Sequence, residues 1–137
     1  MKRAGIFGLN ANEKRRLEIL NIENPKYLGG TERIQNITLE QLKTLVEEEF
    51  IDLDECQNNS PTVQCFLSFM ETYPKMKAHG YIVSPEREDY RISIEGLQGT
   101  YDKKDLNDVD MLIDFVDLCM GADNLQVTNG ELYSWWD

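Results

Sequence analysis

The sequence predicts a single acidic α+β domain over residues 1–137, in which three N-terminal helices precede a β-β-α-β-β unit. The small antiparallel sheet of that unit is expected to pack against the helices. Apolar residues recur at helical spacing up to residue 73, and from residue 78 the spacing changes to the period of two that is typical of half-buried strands. The length of 137 residues and the apolar content of 41% are those of one globular domain.

The first part of the chain, residues 1–30, is predicted to be a basic N-terminal arm. A loop over residues 24–31, with Pro25 and two adjacent glycines, separates it from the rest. Within the arm, Asn10 followed by Glu13 predicts the start of a short helix. The exposed side of this helix is predicted to carry three basic residues: Lys14, Arg15 and Arg16.

The next two helices have recognisable start signals. Thr38 and Gln41 fit a capping box, so a helix is predicted to begin at the residue after Thr38. It ends in the acidic run 47–49, whose charges meet the negative end of the helix dipole. A third helix is predicted to start at Ser60-Pro61 and to stop before Pro74.

Two hairpins and one long helix complete the pattern. Residues 78–84 and 90–97 are predicted to pair as an antiparallel hairpin. A helix capped by Asp102 is predicted to run to about Met120, and a last hairpin turns at Asn129-Gly130. The predicted core contains eight apolar residues: Phe66, Phe69, Met70, Ile92, Ile94, Leu112, Ile113 and Val116.

The cysteine and histidine content argues against a metal site, a cofactor and a disulfide framework. Cys56, Cys65 and Cys119 form no Cys-x-x-Cys pair, and His79 is the only histidine. An odd cysteine count favours a reducing cytoplasm, and no apolar run approaches the roughly 20 residues that a membrane span needs. Cys65 and Cys119 lie on apolar helical faces and are predicted to be buried.

The chain is strongly acidic, and the acidic excess follows residue 33. The 25 Asp and Glu residues against 14 Lys and Arg give a net charge of −11. Residues 1–33 carry seven basic against four acidic side chains, whereas residues 34–137 carry seven against 21. A negative surface opposes direct binding of nucleic acid. It fits a basic protein partner, imitation of nucleic acid, or solubility alone.

The predicted helix 102–120 carries a distinctive acidic edge. Asp110, Asp114 and Asp117 fall within a sector of about 60° that contains no Lys or Arg, while apolar residues cover most of the circumference. The edge can be merely solvated, bind a divalent metal, or dock a basic partner or the basic arm. Trp136 is a further contact candidate because adjacent tryptophans in a strand point to opposite faces. The candidate partner-binding residues are Asp110, Asp114, Asp117, Glu47, Glu48, Glu49 and Trp136.

A candidate ligand site lies in the first predicted hairpin. Arg87 and Arg91, in and after its turn, could clamp a carboxylate or phosphate, and His79 and Tyr81 lie on the preceding strand. No phosphate-binding glycine loop or calcium loop accompanies them. Cys56 has acidic neighbours, whereas a reactive cysteine needs positive charge nearby.

These observations predict a non-enzymatic interaction or regulatory module, cytoplasmic and bacterial or phage-like, that binds a basic protein through its acidic surface. A nucleic-acid mimic or a toxin-neutralising, immunity-like protein would use the same surface. The alternative from another class is a small enzyme or ligand-binding domain with a pocket near His79 and Arg87. Salt-dependent binding distinguishes the first class, and a concave pocket distinguishes the second.

Overall fold

The computed structural model describes residues 9–137 and confirms the α+β class. Four α-helices and one five-stranded antiparallel sheet form within these residues, and none of the helices is long and apolar enough to cross a membrane. In chain order the elements are α1 (Glu13–Leu20), β1 (Thr31–Ile37), α2 (Leu39–Glu47), α3 (Val63–Thr72), β2 (Lys77–Val83), β3 (Ile92–Thr100), α4 (Leu106–Cys119), β4 (Asn124–Thr128) and β5 (Glu131–Trp135).

The predicted order of elements is wrong because a strand, β1, lies between the first two helices. Its inward residues Ile34 and Ile37 are three positions apart, since a bulge interrupts the pairing with β2 between them. The period of two that identifies a strand is therefore missing from the sequence, and a spacing of three resembles a helix. The helices and strands are interspersed rather than grouped.

The strands follow the order β1-β2-β3-β5-β4 across the sheet. Both predicted hairpins are present, since β2 pairs with β3 and β4 pairs with β5. The β3–β5 pairing is short and covers only residues 98–100 of β3. The sheet therefore has its two edges at β1 and β4, and a seam between β3 and β5 where regular strand pairing stops.

Local capping signals determine where the helices begin. The capping box of Thr38 and Gln41 is present, and α2 begins at the next residue as predicted. The other helices begin after the predicted caps, because polar residues further along, Asn12, Thr62 and Asp105, accept the first main-chain N–H groups instead. All four predicted helices are thus present, and three of them begin a few residues later than predicted.

Residues 9–30 pack against the rest of the domain. The main-chain N–H of Asn10 donates to the carbonyl of Glu49 at 2.8 Å, and the Gln41 side chain donates to the carbonyl of Ile19 at 3.0 Å. Four apolar side chains of this segment are buried: Leu9, Ala11, Ile19 and Leu20. The first eight residues of the predicted arm lie outside the described residues.

Arg16, expected on the exposed basic side of α1, is fully buried. Its guanidinium pairs with the Glu13 carboxylate at 2.8 Å and lies 4.0 Å above the ring of Tyr90. It also donates hydrogen bonds of 2.8–3.1 Å to three oxygens: the Val83 and Arg91 carbonyls and the Tyr27 hydroxyl. The buried charge is therefore compensated, and it fastens α1 to the β2–β3 hairpin.

Five of the eight predicted core residues are buried, but those of α4 are not. Leu112 and Val116 are only half-buried, and 61% of the surface of Ile113 is exposed. The helix buries one narrow side, formed by Asp108, Met111, Phe115 and Cys119, and Phe115 of that side packs against Phe69 of α3. Of the two cysteines expected to be buried, Cys119 is, whereas Cys65 is exposed on the outer side of α3.

Candidate functional site

The three predicted aspartates lie together on the exposed side of α4. Asp110 and Asp117 form no ion pair with any Lys or Arg of residues 9–137. Asp114 accepts a hydrogen bond from the Tyr73 hydroxyl at 2.5 Å, which raises the pKa of that phenol to about 12. Two carboxylates of this edge are therefore available to a partner, and the third is oriented by Tyr73, the residue that follows α3.

Three exposed apolar residues lie beside the aspartates. Leu106, Ile113 and Met120 are 83%, 61% and 74% exposed, so the predicted core position of Ile113 is wrong. They are seven residues apart, or nearly two helical turns, so they form one line along the helix. At 100° per residue this line runs next to Asp110 and Asp117. We call these six residues the α4 surface: Leu106, Ile113, Met120, Asp110, Asp114 and Asp117.

Asp108, on the buried side of α4, differs from these aspartates. The ammonium of Lys75 lies 2.6 Å from its carboxylate, and the main-chain N–H of Asp102 donates to the same oxygen at 2.8 Å. These hydrogen bonds hold the pKa of the Asp108 carboxyl below its usual range. Asp108 thus connects the start of α4 to the turn after α3, and its charge is compensated within the chain.

The acidic run at the end of α2 contacts α1. The guanidinium of Arg15 donates to both carboxylate oxygens of Glu48 at 2.5 and 2.7 Å. The carbonyls of Glu48 and Glu49 also accept hydrogen bonds from Asn10. Glu47 is exposed. The run 47–49 therefore takes part in the contact between α1 and α2, and Arg15 compensates the charge of Glu48.

Trp136 is buried, so it does not provide the exposed contact expected from the sequence. Only 2% of its surface is accessible, and its ring meets Phe66 edge-on at a centroid distance of 5.8 Å. Its main-chain N–H donates to the carbonyl of Glu95 at 2.8 Å. The two tryptophans differ in burial, Trp135 being half-buried, and it is Trp136 that enters the core. Trp136 therefore does not belong to the α4 surface.

His79 fills the seam between β3 and β5. Its Nε2 lies 2.7 Å from the carbonyl oxygen of Ser134, while the hydroxyl of Ser134 accepts the main-chain N–H of Leu97 at 3.0 Å. The imidazole is fully buried and stacks on the ring of Tyr133 at 4.9 Å. These side chains supply hydrogen bonds where the two strands do not pair directly. His79 is thus part of the sheet and is not open to a ligand.

Burial lowers the pKa of His79 below its usual 6.5. Nδ1 has no hydrogen-bond partner among the described residues, so the imidazolium would bury an unpaired N–H. The unfolded chain therefore binds this proton more readily than the folded chain. We expect the free energy of unfolding to fall as the pH drops below about 6.5 towards the lower folded pKa.

Urea denaturation at about pH 7.5 and about pH 5.5 measures this effect, because an ordinary His titrates between these values. His79→Gln keeps an N–H donor for Ser134 but has no imidazole to protonate. We expect the variant to lose less stability than the wild type between the two pH values. An equal loss in both proteins would show that other groups cause the acid sensitivity.

The four predicted ligand-site residues do not converge on one point. Arg91 donates to the Tyr81 hydroxyl at 2.8 Å, and both arginines donate to the Asp89 carboxylate at 2.6–2.8 Å. The aliphatic part of Arg87 lies against Gly30, where an added Cβ would be 2.9 Å from its Cδ. Since His79 is buried in the sheet, only Tyr81, Arg87 and Arg91 lie together, and Asp89 joins the two arginines. The arginines hold the turn of the hairpin.

Arg91 also lines a cavity of about 380 Å³ beside the loop that follows α2. The other lining residues are Leu9, Asp52, Asp54, Glu55 and Cys56. Burial raises the pKa of Glu55, against the opposing effect of the Arg91 charge. Leu9, the first described residue, borders the cavity. The α4 surface is the better-defined candidate.

The chain finds no match among protein-family models, curated proteins or solved structures. No activity, ligand or partner is therefore carried over from a relative. A proposed function rests on the α4 surface, because the packing of residues 9–137 does not account for its exposed apolar line or for the carboxylates of Asp110 and Asp117.

Proposed function

We propose that this protein is an interaction module that binds a basic, amphipathic segment of a protein partner on the α4 surface. The observation that carries the proposal is the line of exposed Leu106, Ile113 and Met120 beside Asp110 and Asp117, which have no basic partner among residues 9–137. Exposed apolar patches rimmed by polar residues are typical of interaction sites. A partner with apolar and basic side chains complements both features.

A helix is the form of partner that fits best. Apolar residues repeated every seven positions are the pattern by which two helices pack side by side at a crossing angle of about 20°. From Leu106 to Met120 the line is roughly 21 Å long, at 1.5 Å per residue, which a partner helix of four turns covers. The aspartates lie on one side of the line, so the Lys and Arg residues of the partner should follow one flank of its apolar face.

Apolar contacts and charges have different parts in this proposed interaction. Burial of the three apolar side chains supplies most of the affinity, because an exposed ion pair contributes only about 0.2–1 kcal/mol. The net charge of −11 attracts a basic partner and makes its association depend on salt. A nucleic-acid mimic would gain nothing from exposed Ile113 and Met120, so the apolar line favours a protein partner.

A designed helical peptide, with Leu at seven-residue spacing and Lys along one flank, tests the proposal by fluorescence anisotropy. We expect it to bind the wild type more tightly than a scrambled peptide of the same composition does. The double variant Asp110→Asn, Asp117→Asn should bind it about 2- to 30-fold more weakly, since two exposed ion pairs are lost. Asp52→Asn, Asp54→Asn removes the same charge elsewhere and should change the Kd less than about twofold. Equal weakening by both double variants would contradict a specific surface.

The Asp110→Asn, Asp117→Asn variant should be as stable as the wild type or slightly more stable, because repulsion along α4 is relieved. Asp114 is kept since it accepts the Tyr73 hydrogen bond. Arg15 and Arg16 are paired with Glu48 and Glu13, and Lys14 forms no ion pair with Asp110 or Asp117, so α1 does not compensate these two aspartates. A clear loss of stability at low salt would assign the acidic edge to the architecture of the fold.

A further inference from the structure

We propose that β4, at one edge of the sheet, is a second interaction surface and that its partner is β4 of another copy of this chain. In residues 9–137, β4 pairs with β5 on one side and with no strand on the other. An exposed strand edge presents unpaired N–H and C=O groups that another strand can bind. This surface is separate from the α4 surface, and the inference does not depend on the proposed partner.

The two edges of the sheet differ in how they are protected. β1 contains the charged pair Glu32 and Arg33 and a bulge, and the Glu32 carboxylate accepts the N–H groups of Lys26 and Tyr27 at 2.7 and 3.1 Å. Charges and bulges are the features by which proteins prevent edge pairing. β4 has the sequence Asn-Leu-Gln-Val-Thr, without charge or proline, and pairs with β5 without a shift of register. β4 is therefore the unprotected edge.

Alternate residues of β4 direct their main-chain groups away from β5. The hairpin loop has two residues, so Thr128, Gln126 and Asn124 are the positions that exchange hydrogen bonds with β5. The N–H and C=O groups of Leu125 and Val127 consequently point outward. None of the hydrogen bonds among residues 9–137 that lie outside the helices and strands uses these four groups. They form two donor and two acceptor sites along the edge.

A two-fold axis through Gln126 satisfies all of these groups. It places Leu125 of each copy opposite Val127 of the other, which gives four main-chain hydrogen bonds in an antiparallel pair. Asn124 then lies opposite Thr128, and the two Gln126 side chains lie opposite each other. No pair of like charges meets along the strand, so the register is self-complementary in spite of the net charge of −11.

The side chains add a smaller apolar contribution. Leu125 and Val127 lie on the same face as Leu132, towards the core, and 43% of the Val127 surface is exposed. Pairing brings Leu125 of one copy beside Val127 of the other and covers this exposure. An edge of five residues is short for a stable interface, which buries about 1,200 Å² or more. The expected dimer is therefore weak and forms at high concentration.

Sedimentation equilibrium of the full chain, over a concentration series that reaches the millimolar range, tests the inference. We expect the average mass to rise from 15.9 kDa towards twice that value. Val127→Pro removes the outward N–H of this residue. Each copy donates one such N–H, so the dimer loses two of its four main-chain hydrogen bonds, and association should weaken at least about tenfold. Since that N–H has no partner in the hairpin, we expect the thermal unfolding of the variant to match that of the wild type. A monomeric mass at every concentration would overturn the inference. It is also the result expected if this edge binds only a strand of a different protein.

A charge pair tests the register independently of proline. Gln126→Glu places two carboxylates on the axis and should weaken association by up to about fivefold, whereas Gln35→Glu adds the same charge on β1 and should leave it unchanged. Gln126→Lys alone should weaken it similarly, and an equimolar mixture of the Glu and Lys variants should restore dimers. Failure of the mixture to associate better than either variant alone would exclude the two-fold register.

Discussion

Replacing Arg16 with methionine is expected to lower the free energy of unfolding by about 3–5 kcal/mol, the usual cost of breaking a buried ion pair by removing one partner. The substitution leaves the Glu13 carboxylate without its cation at 2.8 Å. It also removes the N–H donors of the Val83 carbonyl and the Tyr27 hydroxyl, and the cation above the Tyr90 ring. Urea denaturation at neutral pH measures the loss.

Arg15→Met is the matched control, because it makes the same chemical change on the adjacent residue. Arg15 pairs with Glu48 on a partly exposed surface, so we expect a loss below about 1 kcal/mol. Adding Glu13→Gln to Arg16→Met should recover part of the stability, since the unpaired carboxylate is then neutral. Similar losses for the two arginines would show that the buried cluster does not hold α1 in place.

The two arginines also show why the sequence predicts the positions of helices better than the tertiary contacts of their side chains. The cap of α2 depends on Thr38 and Gln41, three positions apart, and was predicted correctly. A helical projection places Arg16 between the buried Ile19 and Leu20, with Arg15 at the edge of that side. The carbonyls that compensate the buried charge of Arg16, however, lie 67 and 75 residues further along the chain. Such partners follow from tertiary packing, which no local pattern encodes.

The same distinction applies to the candidate site. The spacing of Asp110, Asp114 and Asp117 is a property of one helix, so their common face could be predicted. The exposure of Ile113 and the burial of Phe115 depend on which side of α4 meets α3, and both residues are equally apolar in the sequence. For this reason the acidic edge was predicted and the apolar line beside it was not.

Irregular strand pairing accounts for the remaining differences. The bulge in β1 removes the alternation that would have identified a strand. The seam between β3 and β5 buries His79, which a regular hairpin would have left on a half-exposed face. No local sequence pattern indicates either feature. Gly96, which lies opposite His79 in the β2–β3 pairing, is consistent with close packing there, because a glycine inside a strand often marks a close approach of another backbone.

Gly96→Ala is expected to cost about 3 kcal/mol or more, because the seam has no space for a methyl group. A Cβ at this position would lie 1.9 Å from the carbonyl oxygen of Ser134 and 2.9 Å from Nε2 of His79. The first contact is with main chain, so β5 itself must move, and the hydrogen bond between His79 and Ser134 is lost with it. Thermal or urea unfolding measures the cost.

Gly121→Ala is the matched control, since no atom lies within 4 Å of its added Cβ and its φ is not in the left-handed region. We expect a change within about 0.5 kcal/mol. If Gly96→Ala remains folded, displacement of His79 should also expose its imidazole and reduce the loss of stability between about pH 7.5 and about pH 5.5. A variant that is destabilised but keeps the full acid sensitivity of the wild type would show that His79 stays in place. The clash would then be relieved elsewhere in β3, and the seam would be more tolerant than its distances indicate.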